Sequence, residues 1–430
     1  MPTSAIYDEA LQWYTEHWDP ELTVGAWWEL LATAGWSFPS WPEGRGGRGL
    51  SSRDAKLAEQ ARIDAGACGP PKGLATFLVA PTLLAYATPE QLDRYMPGIA
   101  CGTDIWCQLF SEPGAGSDLA GLATRAVPDG DEWVITGQKV WNSGAQNAKY
   151  GILMARTDPD QPKHKGISYF LIDMTQDAVD VRPLREMTGD IAFNEVFLSE
   201  ARVADRDLLG QPGEGWRIGM TTLSHERDPD NSGSGSGFDF AGADLQQTAG
   251  EHAATTGRDV DGFSLAMSGG ANRLLDEILD GFDASTDPIR RQRMMQLAEL
   301  RRTSRWSTAR SVAAVKAGGQ PGPEVSTLKV IGAEVSRRTR DLGLEAMGPA
   351  GMLWGADTPT AGQFHAYCMF TPAMSIAGGS DEVNRNIIGE RVLGLPREPG
   401  EAEQRQRPWS ELPRNRADPT ERNLTPRKTR

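Results

Sequence analysis

Apolar residues recur at three- and four-residue spacing from Tyr7 to about Tyr95, as in Trp27, Leu30 and Leu31 and again in Leu74, Phe77 and Leu78. Pro and Gly interrupt the pattern, so the period predicts successive helices with one apolar face each. Between Ile105 and Leu209 the period shortens. EWVITGQKVW, YGILMART, GISYFLIDM and FNEVFL are short, rich in β-branched and aromatic residues, and parted by turns such as DGD and DPDQP. These segments predict strands. Helical spacing returns at Trp216 and dominates DPIRRQRMMQLAELRRTSRWSTARSVAAV and the stretch from Ser326 to Leu344. The expected fold class is mostly α with a central β domain: a helical unit over 1–104, a β unit over 105–210 and a helical unit over 211–398.

Two regions break the pattern. Residues 228–270, beginning DPDNSGSGSG, are rich in Gly, Ser, Asp and Thr and predict a mobile loop or inserted excursion. The tail 399–430 has little apolar content and charges of both signs, which predicts an extended or disordered arm. No internal repeat of fixed period is present.

Composition narrows the function. A net charge of −14 disfavours nucleic acid and anionic membrane as partners. The basic set from Arg290 to Arg305 reads as a solvated helix face. Cys68, Cys101, Cys107 and Cys368 are scattered without metal-ligand spacing, so no metal is expected and reduced thiols in a cytoplasm fit best. The opening MPTSAIYDEALQWY carries acids and no long apolar run, so neither a signal peptide nor a membrane span is expected there.

Three stretches carry candidate chemistry. In WCQLFSEPGAGSDLAGLATRA, Trp106 to Ala126, a Gly-rich turn after an apolar strand exposes several backbone N–H groups and the hydroxyls of Ser111 and Ser117. Such a turn suits a phosphate-bearing ligand, although alone it is more often only a turn. GQKVWNSGAQNAKYGILMART sets Trp141 two residues before Ser143. An indole packs on a flat ring while a hydroxyl donates to its edge; the alternative is a core Trp beside a capped turn. In SIAGGSDEVNRNIIGERVLGLP, Ser375 to Pro396, Gly378 and Gly379 precede a helix that Ser380 can cap, an arrangement suited to an anion.

Together with WELLATAGWSFPSWPEGRGGRGLS and LEAMGPAG, these stretches closely resemble the acyl-CoA dehydrogenase family over nearly the whole chain. The resemblance implies an N-terminal helical domain, a middle β-barrel domain, a C-terminal four-helix bundle and bound FAD. Carried over, Ser111 and Ser143 match hydroxyl positions that bond the flavin ring, commonly Thr in the family. Trp141 matches the tryptophan lying against that ring, and Ser117 a ligand contact near the pocket mouth. Glu345, Gly348, Gly351, Ser380 and Glu382 would contact FAD across a subunit interface, and Arg291 is a candidate phosphate contact.

The family's reaction takes a proton from the carbon beside a thioester carbonyl and a hydride from the next, giving a trans-2-enoyl-CoA. In many members the base is a Glu just before the glycine turn; here Gly378 stands at that place. Other members, isovaleryl-CoA dehydrogenase among them, keep the base in a Leu-x-x-Glu-Arg motif after the β domain. LSHER, Leu223 to Arg227, matches it. Glu226 is thus the expected base and Arg227 the residue orienting the substrate end; the alternative is a solvated Glu beside an Arg at a helix end. Pro229 and the Gly-Ser run after the motif predict that the helix stops there. The resemblance also implies an acyl-CoA substrate, electron-transfer flavoprotein as electron acceptor, and a homodimer or homotetramer. A partner subunit of a hetero-oligomer and a non-catalytic binding protein stay open as alternatives, as does an oxidase using molecular oxygen.

Overall fold

The computed structural model describes residues 5–226, 242–255, 265–266, 270–280, 286–316, 322–323, 325–355 and 357–412. The chain runs helices, strands, helices, as the change of period requires.

The first helices are α1 (Ala5–His17), α2 (Val24–Ala34) and α3 (Ser52–Asp64). Ala10 and Tyr14, Trp27, Trp28 and Leu31, and Ala58 and Ala61 meet in one core with Trp36. The Thr23 hydroxyl accepts from the Ala26 N–H at 3.2 Å and so caps α2, which ends at Gly35 with φ 76°. A single π-helical turn, Ala75–Val79, runs into α4 (Ala80–Tyr86). A capping box between Thr88 and Gln91 then opens α5 (Pro89–Ala100).

The middle strands are β1 (Trp106–Leu109), β2 (Arg125–Asp129), β3 (Glu132–Val140), β4 (Tyr150–Arg156), β5 (Ile167–Asp173), β6 (Val179–Leu184), β7 (Phe193–Ala204) and β8 (Leu208–Leu209). They form one sheet in the order β6-β7-β3-β2-β4-β5-β8, and β1 lies on the β2 side of β4. β1 pairs with residues 150–153 of β4 and β2 reaches it only at Arg156, so the two share one edge in succession. The register of β3 on β7 slips between Ile135 and Thr136, leaving Glu200 as the extra residue with φ 62°. The two halves fold together over a core that includes Cys107, Ile135, Leu153, Phe170, Val196 and Leu198. The alternate residues Ile152, Met154, Tyr169 and Leu171 face the other way, onto Leu83, Tyr95 and Met96. Burial on both faces explains why YGILMAR and ISYFLID read as continuous apolar runs rather than alternating ones.

After the sheet come α6 (Gly215–Glu226), α7 (Ala249–Thr255), α8 (Gly270–Ile278), α9 (Pro288–Lys316), α10 (Val325–Met347), α11 (Gln363–Phe370), α12 (Asp381–Ile387) and α13 (Glu401–Gln404). Leu274, Leu275, Leu297, Leu342, Phe364 and Tyr367 join α8 to α11 in one core. Of the region expected as an excursion, 242–255 is described and lies against the first helices. There Val24 and Gly25 N–H donate to Gln247 O and Leu245 O at 2.9 and 3.0 Å, and Ala249 N–H to Leu22 O at 2.8 Å. Of the tail expected as an extended or disordered arm, 399–412 folds back on the β unit. Trp409 N–H donates to Gln161 O and Ser410 N–H to Pro159 O, each at 2.9 Å.

Candidate functional site

The exit of β3 is an unusual piece of backbone. Trp141 sits at φ 63°, a left-handed conformation that a bulky residue keeps only where its surroundings impose it. The imposing bonds come from the next residue. Asn142 N–H donates to Asn194 O at 3.1 Å, Asn194 Nδ2 donates back to Asn142 O at 2.9 Å, and Asn142 Nδ2 donates to Gln108 O at 2.7 Å. With Asn142 anchored, the Trp141 indole is turned out of the domain, 61% exposed, its edge against Phe193 at 5.8 Å. Val140 N–H donates to Ser111 O at 2.9 Å, which brings Ser111 beside Trp141 and Ser143. An exposed, rigidly held indole flanked by two hydroxyl residues fits a flat ring cofactor. Ser117 is exposed further out on the same loop.

That loop is fixed from beneath by a buried ion pair. Lys139 Nζ donates to Glu112 Oε1 at 2.8 Å, to Phe110 O at 3.0 Å and to Met154 O at 2.8 Å. The Glu112 carboxylate also accepts from Ala123 N–H at 2.7 Å and Thr124 N–H at 2.9 Å. Burial pushes Glu112 up, but the Lys139 charge and these bonds outweigh it and hold the carboxyl below its usual range. Burial also pushes the Lys139 ammonium down, against the pull of Glu112. The loop's far end is clamped by Arg156, whose Nη2 donates to Ala120 O at 2.7 Å and Leu122 O at 3.1 Å. Trp409 covers that guanidinium at 4.4 Å and donates its indole N–H to Gly121 O at 3.3 Å. No local pattern gives Lys139 a role; its one available signal is a charged residue set just before Val140 and Trp141 in a strand that is otherwise rich in β-branched and aromatic residues.

α6 carries Glu226 as its last described residue. Arg217 stacks over Tyr86 at 4.7 Å, and the hydroxyls of Thr222 and Thr82 bond at 3.0 Å, so α6 runs antiparallel to α4. Four residues beyond Thr222, that direction takes residue 226 to the level of the Ala75–Val79 turn, which α6 packs against. Arg227 lies outside the described residues. Ala75 and Thr76 also line a cavity of about 680 Å³, enclosed further by Trp28, Cys68, Pro71, Lys72, Trp106 and residues of 242–255.

The other expected contacts fall in the helical bundle and form two groups. Glu345, Gly348 and Gly351 stand at the end of α10, where Glu345 is ion-paired with Arg293 of α9. Ser380 caps α12, accepting from Val383 N–H at 3.3 Å; Asp381 is held by Lys329 and Arg337 of α10, both at 2.9 Å. Arg337 and Glu345 are eight residues apart, about 12 Å along the helix, so the two groups are separate on one chain. Glu382 is exposed and pairs with Arg385 at 3.4 Å, and Arg291 is exposed on α9. Gly378 and Gly379 take φ 66° and 88°, so a side chain at Gly378, the commoner base position, would be strained. Among the described residues no group of three or more His, Cys, Asp or Glu could hold a metal ion, and no helix is long and apolar enough to cross a membrane.

A β unit between helical units carries an outward indole beside a Gly-rich loop, an arrangement that suits a flat ring cofactor. Residues 3–103, 107–200 and 264–393 match the N-terminal, middle and C-terminal domains of acyl-CoA dehydrogenases, and the chain belongs to that family of FAD-dependent oxidoreductases. Acyl-CoA dehydrogenase IpdE1 of Mycobacterium tuberculosis is 38% identical over 388 residues, covering 87% of this chain and 88% of that one. Acyl-CoA dehydrogenase FadE34 of the same organism is 36% identical over 369 residues, covering 85% of this chain and 46% of that one. Among solved structures, the Tcur3481–Tcur3483 steroid ACAD is similar at 26% identity and a TM-score of 0.67, covering 91% of this chain and 97% of that one. The ChsE4–ChsE5 complex from Mycobacterium tuberculosis is similar at 26% identity and a TM-score of 0.65, covering 92% and 99%.

Proposed function

We propose that the chain dehydrogenates an acyl-CoA thioester between its α and β carbons, with Glu226 as the base. The observation that carries this reading is the antiparallel packing of α6 on α4, which takes residue 226 to the turn that also walls the cavity. Glu226 takes the α-proton as the β-hydride leaves with its electron pair, and the product is the trans-2-enoyl-CoA. FAD supplies the hydride acceptor. Ser111 and Ser143 bond the ring edge, Trp141 shelves its face, Ser117 meets ligand at the mouth, and Arg227 orients the substrate end. Arg291, Glu345, Gly348, Gly351, Ser380 and Glu382 complete the cofactor site of a neighbouring subunit. Exposed apolar residues on α9, Ile289 at 66%, Met295 at 59% and Trp306 at 65%, support a subunit interface in this bundle. Electron-transfer flavoprotein is the proposed electron acceptor. A cavity of this size suits a bulky acyl group, in keeping with a similar structure being a steroid ACAD.

The test is Glu226→Gln, followed by anaerobic flavin bleaching with an acyl-CoA in single turnover. Bleaching should slow by a factor on the order of 10²–10⁴ while FAD stays bound. Equal rates in both proteins exclude Glu226 as base. A second reading, a partner subunit of a mixed oligomer, is favoured by the glycine at position 378 and by the ChsE4–ChsE5 complex among the similar structures. It predicts bleaching only when a second, different subunit is added.

A further inference from the structure

Three successive backbone carbonyls of the Gly-rich loop, those of Ala120, Gly121 and Leu122, are held by two side chains from distant parts of the chain. Arg156, the last residue of β4 and 3% exposed, donates Nη2 to Ala120 O at 2.7 Å, and Nη2 and Nε to Leu122 O at 3.1 and 3.3 Å. The carbonyl between them accepts from Trp409 Nε1 at 3.3 Å, and the same indole lies over the Arg156 guanidinium at 4.4 Å. A side chain of the loop is fastened from the same quarter. Lys163 Nζ donates to Asp118 Oδ1 at 2.7 Å, and Lys163 O accepts from Arg156 Nη1 at 2.8 Å. Asp118 follows Ser117 directly, so the fastening reaches the neighbour of the expected ligand contact. The arm itself is tied down on either side of the indole: Pro408 pairs with Pro162 in an antiparallel bridge, and Ser410 Oγ donates to Asp160 Oδ1 at 3.2 Å. A guanidinium bonded to carbonyls in open water exchanges those bonds for water; beneath a flat apolar cover the same bonds are stronger. The loop contains Pro113, Gly114 and Gly116 and so has little order of its own. A ligand that had to order it would bind more weakly by that cost.

We infer that Trp409 is a positioning residue for the ligand-binding loop: by covering Arg156 and holding Gly121 O, the C-terminal arm sets Ser117 and the loop's backbone N–H groups for a CoA thioester before it binds. This role rests on the dehydrogenase reading, in which Ser117 meets ligand at the pocket mouth. Ser111 stands at the loop's other end, next to Glu112, which Lys139 holds independently of the arm. Release of the arm therefore loosens the thioester side of the loop and leaves the flavin side in place.

The experiment compares the FAD-loaded full chain as wild type, Trp409→Ala and Trp409→Phe, each well below its Tm. Hydrogen–deuterium exchange over residues 113–122 reads the loop. Equilibrium titration of the flavin absorbance with butanoyl-, octanoyl- and 3-cyclohexylpropanoyl-CoA reads binding, and anaerobic bleaching at saturating thioester reads the chemical step. Trp409→Ala should raise loop exchange and thioester Kd about ten-fold each, while the limiting bleaching rate and FAD affinity change less than about two-fold. Trp409→Phe keeps a flat cover on Arg156 and gives up the bond to Gly121 O, which is long, so it should recover most of both. A residue that merely anchors the arm would raise exchange in 400–412 and lower Tm without moving loop exchange or Kd; that result overturns the inference, as does a slower bleaching rate at unchanged Kd. Faster loop exchange and weaker binding in a protein that no thioester bleaches uphold the positioning role and overturn the dehydrogenase reading. A wild type whose flavin none of the three thioesters perturbs overturns both.

Discussion

Replacing Lys139 by Met tests whether the buried pair under the Gly-rich loop holds the cofactor side of the site. The ammonium is fully buried and donates to three acceptors: Glu112 Oε1, Phe110 O and Met154 O. Methionine fills much of the space but leaves a buried carboxylate without its countercharge, a loss of about 3–5 kcal/mol. For 430 residues an unfolding entropy of about 2.1 cal/mol/K per residue converts this to a Tm lower by about 3–6 °C. The pH dependence has a definite sign. In the variant, burial without Lys139 raises the folded pKa of Glu112 above its unfolded value. A group so raised contributes stability at low pH that is lost as pH climbs through the folded value. Lys139→Met should therefore lose less Tm relative to wild type at about pH 5 than at about pH 8. Adding Glu112→Gln removes the stranded charge, and the double variant should be more stable than the sum of the single losses predicts. Thermal melts of apo and FAD-loaded protein, with FAD affinity by fluorescence titration, give all three comparisons. A single variant that melts with the wild type, or a double variant that is strictly additive, refutes the argument that this pair supports the loop.

Trp409→Ala should free the C-terminal arm: losing its burial against Arg156 and the bond to Gly121 removes about 2–4 kcal/mol. Tryptic cleavage after Arg405 should then accelerate more than about ten-fold; unchanged cleavage means that the arm is held by other contacts. Native Glu112 and Asp381 are both held below their ordinary 4.5 and 3.8, in each case because basic partners and hydrogen bonds overcome the upward push of burial. Their contribution to stability is complete above those ordinary values and is lost as pH falls through the depressed ones. Tm should hold level above about pH 5 and drop below about pH 4. A Tm that is still level at about pH 3 contradicts this assignment.

The helix–strand–helix order was legible in the chain because burial imposes a period, and the period changes at Ile105 and again at Trp216. Trp141, Ser111 and Ser143 could be singled out because their loops carry turn residues at fixed spacing, and local chemistry of that kind survives in sequence. What made a site of them was tertiary. Asn142, Asn194 and Gln108 come from three different places in the chain, yet their hydrogen bonds together hold Trp141 in a left-handed conformation that no local propensity favours. Lys139 and Glu112 are 27 residues apart and meet only because β3 passes beneath the loop after β1. The cavity joins the turn at 75–79 to residues 242–255, part of the stretch 228–270 whose Gly-, Ser-, Asp- and Thr-rich composition predicts a loop and says nothing of where it docks. The tail's low apolar content and charges of both signs predict an extended or disordered arm. Trp409, stacked on a guanidinium presented by β4, and the backbone bonds of Trp409 and Ser410 to residues 159–161 give that arm a place to bind. Sequence determines what depends on neighbours a few residues away; contacts between distant segments depend on the packed surfaces that bring them together, and these exist only in the folded chain.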